Sequence, residues 1–310
     1  MSRVAVIDCG TNTFNILIVE IENDSWKPVF SNKVSVKLGK GGIGQGVIRA
    51  DRMARGLDAL MVHHHSMMNL GTSKSAVFAT SALREASNAI QFINKARSMF
   101  GMEVKVIDGE REAELIFEGV KQTMDIGQDY ITVMDIGGGS TEFIIANQDG
   151  IAWKHSFPLG VSRLFEQIQP NDPFLPDDSK RLEKHLHRVL EPLQAALKQF
   201  PSETIVGSSG SFDTLLDMYN SHVGQSSNGL SDVIPINAFR SMHADMLKLD
   251  RDQRLKIPGM LPLRVDFMPI STHLINYLVK HLNYKKIHRS AYAMKEGIVK
   301  EIIDGKIVLE

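Results

Sequence analysis

Two short segments of the chain combine an aspartate with a turn of small and hydroxyl-bearing residues, between two apolar runs. They read Asp8-Cys9-Gly10-Thr11-Asn12-Thr13 and Asp135-Ile136-Gly137-Gly138-Gly139-Ser140-Thr141. A turn with little side-chain bulk lets backbone N–H groups approach a phosphate, and the hydroxyl groups add donors. An aspartate at the entry of each turn suits a hydrated divalent cation. We therefore predict that both turns bind phosphate, with Asp8 and Asp135 close to a metal ion.

Backbone geometry alone also explains a single glycine-rich turn, because glycine adopts conformations that other residues avoid. Two copies of the pattern favour phosphate binding and predict two related lobes that grip one phosphate between them. A third turn of small residues follows another apolar run and is predicted to bind further phosphates or a nucleoside. It reads Gly207-Ser208-Ser209-Gly210. This turn is equally compatible with a helix N-terminus that Ser211 caps.

Arg84 lies about one turn into a predicted helix that follows a buried strand. Helix N-termini attract anions, and a guanidinium binds phosphate with two parallel hydrogen bonds. Arg84 is therefore predicted to bind phosphate. The alternative is a surface arginine that pairs with Glu85 or with another nearby acid.

Two glutamates are candidates for acid–base chemistry. Glu112 precedes Ala113 on the side of a helix that leads into the apolar face, so its carboxylate is expected to point inward and to activate a water. The alternative is a solvated acidic first turn, which the helix dipole favours and which suits Glu110 and Glu114 better. Glu142 closely follows the second glycine turn, where it is either a second acid or an outward-facing strand residue.

Three consecutive histidines at positions 63–65 suggest a metal site only superficially. Consecutive helical residues point in different directions, so these side chains do not converge on one ion. We predict a solvated helix face there.

The elements that would position these residues are strands and amphipathic helices in alternation. Strands are predicted within 3–36 and over 75–80 and 104–107, and helices over 50–70, 88–100, 109–124, 180–200, 265–282 and from 293 onward. Pro192 predicts a kink or a break in the helix over 180–200. The pattern is that of an α/β protein.

Composition narrows the class of protein. The 310 residues include one cysteine, which excludes a disulfide framework and fits a cytoplasmic protein. The N-terminus has no secretory signal, and no apolar run approaches the ~20 residues that span a bilayer. A net charge of −1 argues against nucleic acid as a partner. It still allows an anionic substrate, because a local basic groove is enough.

With these motifs in order along nearly the whole chain, the sequence resembles the exopolyphosphatase and guanosine pentaphosphate phosphohydrolase family of the actin-like superfamily. The resemblance rests on the two aspartate turns and on 79–86, 109–116, 158–160, 207–210 and 295–297. It implies an α/β fold of two ribonuclease-H-like (actin-like) lobes with a cleft between them. Residues 1–126 would form the first lobe, with a helix over 294–310 packing back on it, and residues 127–293 would form the second.

The resemblance also implies roles. The family residue matching Glu112 activates water, the one matching Arg84 binds phosphate, and those matching Asp135, Gly137 and Glu142 line a site that uses Mg²⁺. Threonines at positions 11 and 13 replace the usual serines but keep the hydroxyl. The resemblance is compatible with a homodimer, which the sequence does not establish.

The predicted function is hydrolysis of the terminal phosphoanhydride of inorganic polyphosphate, with Glu112 as base and Glu142 assisting. Hydrolysis of guanosine pentaphosphate is the near alternative, with the same chemistry and a guanosine pocket. More distant alternatives are a kinase of the same superfamily, which would need a phosphoryl acceptor, and a sensor that binds phosphate ligands without turnover.

Overall fold

The computed structural model describes residues 2–227 and 229–309. The chain divides into two compact units. Unit 1 comprises Met1–Gly119, Gly137–Gly139 and Ala293–Glu310, and unit 2 comprises Val120–Ile136 and Ser140–Tyr292. The second glycine turn therefore groups with unit 1, although the strands on both sides of it belong to unit 2.

Unit 1 is built on a mixed sheet with the strand order β3-β2-β1-β4-β5. The strands are β1 (Ser2–Cys9), β2 (Thr13–Glu22), β3 (Ser25–Ser35), β4 (Lys74–Ala79) and β5 (Val104–Val106). The first three are antiparallel, whereas β4 and β5 run parallel to β1. The helices are α1 (Ala50–Asn69), α2 (Ser81–Glu85), α3 (Ala89–Phe100), α4 (Gly109–Val120) and the last helix of the chain, α12 (Met294–Ile303).

Unit 2 has its own mixed sheet, in the order β10-β11-β9-β6-β7-β8. The strands are β6 (Tyr130–Ile136), β7 (Thr141–Asn147), β8 (Gly150–Phe157), β9 (Ser202–Ser208), β10 (Ser231–Ile234) and β11 (Lys286–Ser290). The helices are α5 (Val161–Ile168), α6 (Pro176–Val189), α7 (Glu191–Gln199), α8 (Gly210–Val223), α9 (Ile236–Lys248), α10 (Arg251–Arg254) and α11 (Met268–His281).

The predicted α/β class is confirmed, and each aspartate turn joins two antiparallel strands, β1 to β2 and β6 to β7. The predicted break near Pro192 is also confirmed. It falls at Leu190, between α6 and α7, and Pro192 takes an early position of the second helix, where its missing N–H costs nothing. Within the described residues, no helix is both long enough and apolar enough to cross a membrane.

Helices α4 and α12 of unit 1 make two very close backbone contacts. A Cβ atom placed on Gly297 would lie 1.8 Å from the Leu115 carbonyl oxygen, and one placed on Gly119 would lie 2.0 Å from that of Ala293. Glycine is required at both positions because any side chain would push the two backbones apart.

Gly297→Ala should therefore lower the free energy of unfolding by about 3 kcal/mol, the upper part of the range for overpacked sites. Alanine is intrinsically the better helix former by about 1 kcal/mol, so a loss of stability reports the contact with Leu115. Urea denaturation measures it. Gly44→Ala is the matched control, since no described atom lies within 4 Å of a Cβ there. Equal stability of the two variants would contradict the packing assigned to Gly297.

Unit 2 buries a pair of histidines in its core. The rings of His243 and His273 lie 5.5 Å apart, and Phe239 and Phe174 stack on them. Neither ring nitrogen of His273 has a hydrogen-bond partner in the described part of the chain. Burial lowers the pKa of both side chains to about 4.

These lowered pKa values predict acid sensitivity. At neutral pH the histidines are mainly uncharged in both the folded and the unfolded chain, so proton binding has little effect on the free energy of unfolding there. As the pH falls below about 6.5, the two histidines bind protons in the unfolded chain but not in the folded chain. The free energy of unfolding therefore falls until the pH reaches about 4. His273→Phe should abolish about 3 kcal/mol of this loss, measured as urea stability at pH 7 and pH 4.5. A variant as acid-sensitive as the parent protein would contradict this account.

Candidate active site

The first aspartate turn is fixed by its own backbone and by the loop that follows β3. The Gly10 N–H donates to the Thr13 carbonyl at 3.1 Å, and the Asn12 carbonyl accepts from the N–H groups of Val36 and Lys37. Thr11 is buried, at 3% exposed. The turn is therefore rigid before any ligand binds.

Asp8 is the second-last residue of β1 and lies opposite Asn15 of β2. The Asn15 amide donates to Asp8 Oδ2 at 3.0 Å. The side-chain carbonyl oxygen of Asn15, Oδ1, is buried and has no hydrogen-bond partner among the described residues. A carboxylate beside an unsatisfied carbonyl oxygen is a donor set that suits a hard cation.

The second glycine turn packs against the first within unit 1. A Cβ on Gly138 would come within 2.9 Å of Asn12 and Thr11 atoms, and one on Gly139 would lie 2.3 Å from Ser81 Oγ and 2.8 Å from Thr11 Oγ1. Glycine is thus required for packing at both positions. This supports in part the alternative that the turn needs its glycines for local structure and not for a ligand. The same contacts bring Thr11, Ser81 and the glycine turn into one cluster.

Arg84 extends this cluster to the candidate base. Its Nη1 donates to Glu112 Oε2 at 2.9 Å and to the Ile107 carbonyl at 3.1 Å. The alternative expected a surface arginine paired with Glu85 or with another nearby acid. Arg84 does pair with an acid, Glu112, but its side chain is only 20% accessible. Glu85 instead accepts a hydrogen bond from Ser81 Oγ at 2.8 Å. The sequence placed Arg84 and Glu112 in one site without showing that they touch.

Glu112 lies in the first turn of α4 and is 8% exposed, so its predicted inward orientation is confirmed. Asp108 starts this turn by accepting from the Arg111 N–H at 2.7 Å. The Arg111 guanidinium bridges Glu114, at 3.0 Å, and the buried Glu301 of α12. The last helix of the chain therefore fixes the turn that carries Glu112.

Unit 2 places four polar side chains in one row across its sheet. Strand register aligns Asp135 on β6 with Glu142 on β7 and with Ser208 on β9, and Glu142 with Ser156 on β8. Ser208 donates to Asp135 at 2.8 Å and Ser156 donates to Glu142 at 2.7 Å. Both carboxylates are buried, at 9% and 1% exposed. The outward-facing alternative for Glu142 is therefore wrong.

Directly opposed carboxylates repel each other unless a cation or a proton lies near. A cation bound next to Asp135 and Glu142 would therefore reduce this repulsion. Asp8 belongs to unit 1 and Asp135 to unit 2. Thr141 follows the glycine turn, and its hydroxyl is turned to the Leu159 carbonyl at 2.9 Å.

The third turn precedes α8, but Ser211 does not cap this helix. The helix starts at Gly210, and Ser209 precedes it with φ of 68°, an unusual backbone conformation for a serine. Ser211 Oγ instead bonds to Ser271 Oγ at 3.1 Å. A Cβ on Gly207 would lie 2.0 Å from the Phe212 ring, so packing already requires glycine there.

Sequence reasoning missed Arg264. A Cβ on Gly210 would lie 1.7 Å from Arg264 Nη2, so the guanidinium sits directly on the start of α8. Its Nε is buried without a hydrogen-bond partner in the described structure. Burial lowers its pKa, whereas the carboxylates of Asp213 and Asp135 raise it. The only sequence signal was a lone arginine after a Pro-Gly segment, which is too general to use.

The histidine prediction is wrong for His63, which is fully buried. Its Nε2 donates to the Phe14 carbonyl at 3.1 Å, so α1 braces the strand that leaves the first turn. Cys9 is also fully buried, and burial raises the pKa of its thiol well above the usual value, which agrees with a packing role.

Among the described residues, no group of three or more His, Cys, Asp or Glu side chains is arranged to hold a metal ion. Mg²⁺ often takes only one or two carboxylates from a protein and completes its shell with water and substrate phosphates. The donors at Asp8 with Asn15, and at Asp135 with Glu142, fit an ion of that kind.

Comparison with known proteins identifies the family. A profile described as the Ppx/GppA phosphatase family matches residues 17–305. A guanosine-5'-triphosphate,3'-diphosphate pyrophosphatase of Photobacterium profundum is 27% identical over 299 residues. That alignment covers 96% of this chain but only 59% of the relative.

Solved structures match over almost the full chain. An exopolyphosphatase from Cytophaga hutchinsonii is 36% identical, with a TM-score of 0.95 and 98% of both chains covered. A Ppx/GppA family member from Aquifex aeolicus is 20% identical, with a TM-score of 0.82 and 99% of both chains covered, which supports the fold. The predicted actin-like fold is thereby confirmed.

Proposed function

Because the chain belongs to the Ppx/GppA phosphatase family, we propose that it hydrolyses the terminal phosphoanhydride bond of inorganic polyphosphate. The observation that carries the proposal is the buried Glu112, which pairs with Arg84. Arg84 lies on α2, the helix whose Ser81 lies against Gly139. The likeness to an exopolyphosphatase over 98% of both chains supports this substrate.

In the proposed reaction, Glu112 accepts a proton from a water as the water oxygen attacks the terminal phosphorus. The bond from that phosphorus to the bridging oxygen breaks, and the bridging oxygen keeps the electron pair. The products are orthophosphate and a chain shorter by one phosphate. Little covalent chemistry falls to the protein, so positioning and charge stabilisation account for most of the catalysis.

The turns and the arginines would bind the phosphates. Backbone N–H groups of 11–13 and 137–141, with the hydroxyls of Thr11 and Thr13, would donate to the phosphate oxygens. Arg84 would contact a phosphate oxygen when substrate displaces Glu112 from its guanidinium. Arg264 and the turn at 207–210 would bind a further phosphate in unit 2.

A magnesium ion would lie at Asp8 or at Asp135, with Glu142 next to the latter. When bound, such an ion would neutralise phosphate charge and stabilise the negative charge that develops on the leaving oxygen. Ser208 and Ser156 would keep the two carboxylates of unit 2 in fixed orientations through their hydrogen bonds.

Guanosine pentaphosphate is the second candidate substrate. The Photobacterium relative carries that activity in its name, although this chain spans only 59% of its length. The chemistry at phosphorus would be the same, and only the group beyond the phosphates would differ.

The test is an assay of phosphate release from both substrates, side by side, with magnesium. Faster turnover of polyphosphate supports the proposal, whereas a clear preference for guanosine pentaphosphate replaces it with the second candidate. Transfer of phosphate from ATP to a sugar or an acid would identify a kinase. Tight binding of either substrate without turnover would identify a sensor.

A further inference from the structure

Helices α4 and α12 of unit 1 meet at three evenly spaced points. From the start of α4 to its end, these contacts join Arg111 to Glu301, Gly297 to the Leu115 carbonyl oxygen, and Gly119 to the Ala293 carbonyl oxygen. Each successive contact lies four residues later on α4 and four residues earlier on α12, so the helices run antiparallel with one face of each turned to the other. The α4–α12 interface therefore extends to Arg111, the residue next to Glu112.

The ion pair fixes more than the two glycine contacts do. A glycine lets the backbones lie close together, but it has no side chain that could fix the orientation of a helix. Arg111 Nη1 donates to Glu301 Oε1 at 3.0 Å, and Arg111 Nη2 donates to Glu301 Oε2. Two parallel hydrogen bonds between flat groups fix orientation as well as distance. Glu301 is 3% exposed, so salt in the solvent screens this pair only weakly.

Arg111 has a second acidic partner that cannot take over this function. Its Nη1 also donates to Glu114 Oε2 at 3.0 Å. Glu114 lies three residues further along the same helix, and its side chain is 38% accessible. A pair within one helix does not hold that helix against another, and exposed ion pairs contribute little to stability. Glu301 is thus the acid that connects the start of α4 to α12.

The first turn of α4 needs such a connection, because the first N–H groups of a helix have no intrahelical partners. Asp108 satisfies two of them. Its Oδ1 accepts from the Arg111 N–H at 2.7 Å, and its carbonyl oxygen accepts from the Glu112 N–H at 3.0 Å. Both bonds join residues of the same turn and do not attach that turn to another helix.

Substrate would make the attachment to α12 more important. The hydrogen bond from Arg84 to Glu112 is the one that a bound phosphate would displace. The pair of Arg111 and Glu301 would then still restrain the turn from a second helix. We propose that Glu301 is a positioning residue for Glu112, which acts through Arg111 and holds the first turn of α4 in place during the reaction. The inference rests on the role proposed above for Glu112.

Glu301→Gln keeps the size of the side chain and removes its charge. It should lower kcat for phosphate release from polyphosphate about tenfold at unchanged KM, because the base moves while the phosphate-binding turns stay in place. Glu114→Gln is the matched control, the same change on the other acidic partner of Arg111, and it should change neither constant. Glu301→Asp keeps the charge and shortens the side chain, so it should lose less kcat. It carries the test if Glu301→Gln does not fold.

A merely structural role predicts a different result when two substitutions are combined. With Glu112→Gln already present, no base is left to position, so adding Glu301→Gln should lower kcat no further. A residue that only stabilises the fold would lower kcat by the same factor in both backgrounds, and that result would overturn the inference. The variants are compared at a temperature at which circular dichroism shows all of them folded.

Amide hydrogen exchange tests the positioning without any substrate. Glu301→Gln should speed exchange at the N–H groups of Arg111 and Glu112 relative to that of Phe117 in the middle of α4, whereas Glu114→Gln should not. Absence of polyphosphate hydrolysis by the parent protein would contradict the proposed function, and the exchange rates would still decide whether α12 holds this turn. Unchanged exchange in Glu301→Gln, or equal effects of Glu301→Gln and Glu114→Gln, would overturn the inference.

Discussion

Glu112→Gln is expected to lower kcat for phosphate release from polyphosphate by roughly 10²–10⁴-fold, with little change in KM. Glutamine keeps the shape of the side chain and still accepts the hydrogen bond from Arg84, but it cannot accept a proton from water. The loss should therefore fall on the chemical step. Steady-state assays with magnesium and polyphosphate of fixed length measure it.

The matched control is Glu110→Gln, the same change at an exposed position two residues earlier on α4. It should remain close to the parent protein in both constants. Near-normal turnover of Glu112→Gln would show that another group activates the water. Glu142 would then be the next residue to substitute, because it is the buried carboxylate opposite Asp135 in unit 2.

Local patterns were sufficient to predict the elements that carry the site. Helical periodicity placed α1 and α4 within a few residues of their observed bounds, apolar runs placed strands within 3–36, and Pro192 located the break between α6 and α7. The predicted bases and turns followed from residue types, since phosphate chemistry demands small residues, hydroxyls and acids.

Contacts between distant segments were beyond such patterns. The pairing of Arg84 with Glu112 joins α2 to α4, and the row of Ser208, Asp135, Glu142 and Ser156 depends on the register of β6–β9. Register is a property of the assembled sheet, because a slip of one residue would turn every side chain to the other face.

Some glycines were predicted to bind phosphate because their small size lets a ligand approach. Packing against neighbouring side chains also explains why these positions are glycine. Gly207 makes room for Phe212, and Gly210 makes room for Arg264. A sequence shows that a glycine is present but not which neighbour requires it. The buried His63 was misplaced on the surface for the same reason, since its partner comes from another element.

Arg84→Gln is expected to lower kcat/KM for polyphosphate by roughly 10–100-fold, the value of a hydrogen bond to a charged group. In this structure the Arg84 guanidinium bonds to Glu112, at 2.9 Å. A polyphosphate brings several negative charges that compete for the same guanidinium. If substrate displaces Glu112, Arg84 serves phosphate in the complex and restrains the base only in the free protein.

The two roles of Arg84 predict different kinetics. A residue that binds phosphate raises KM when it is lost, whereas a residue that only positions Glu112 lowers kcat at constant KM. We expect KM to carry most of the effect, and Arg84→Lys to restore part of it, because lysine keeps the charge but not the planar fork. Arg97→Gln, at an exposed ion pair of α3, should change neither constant. A fall in kcat alone would restrict Arg84 to positioning Glu112 and would leave phosphate binding to the turns.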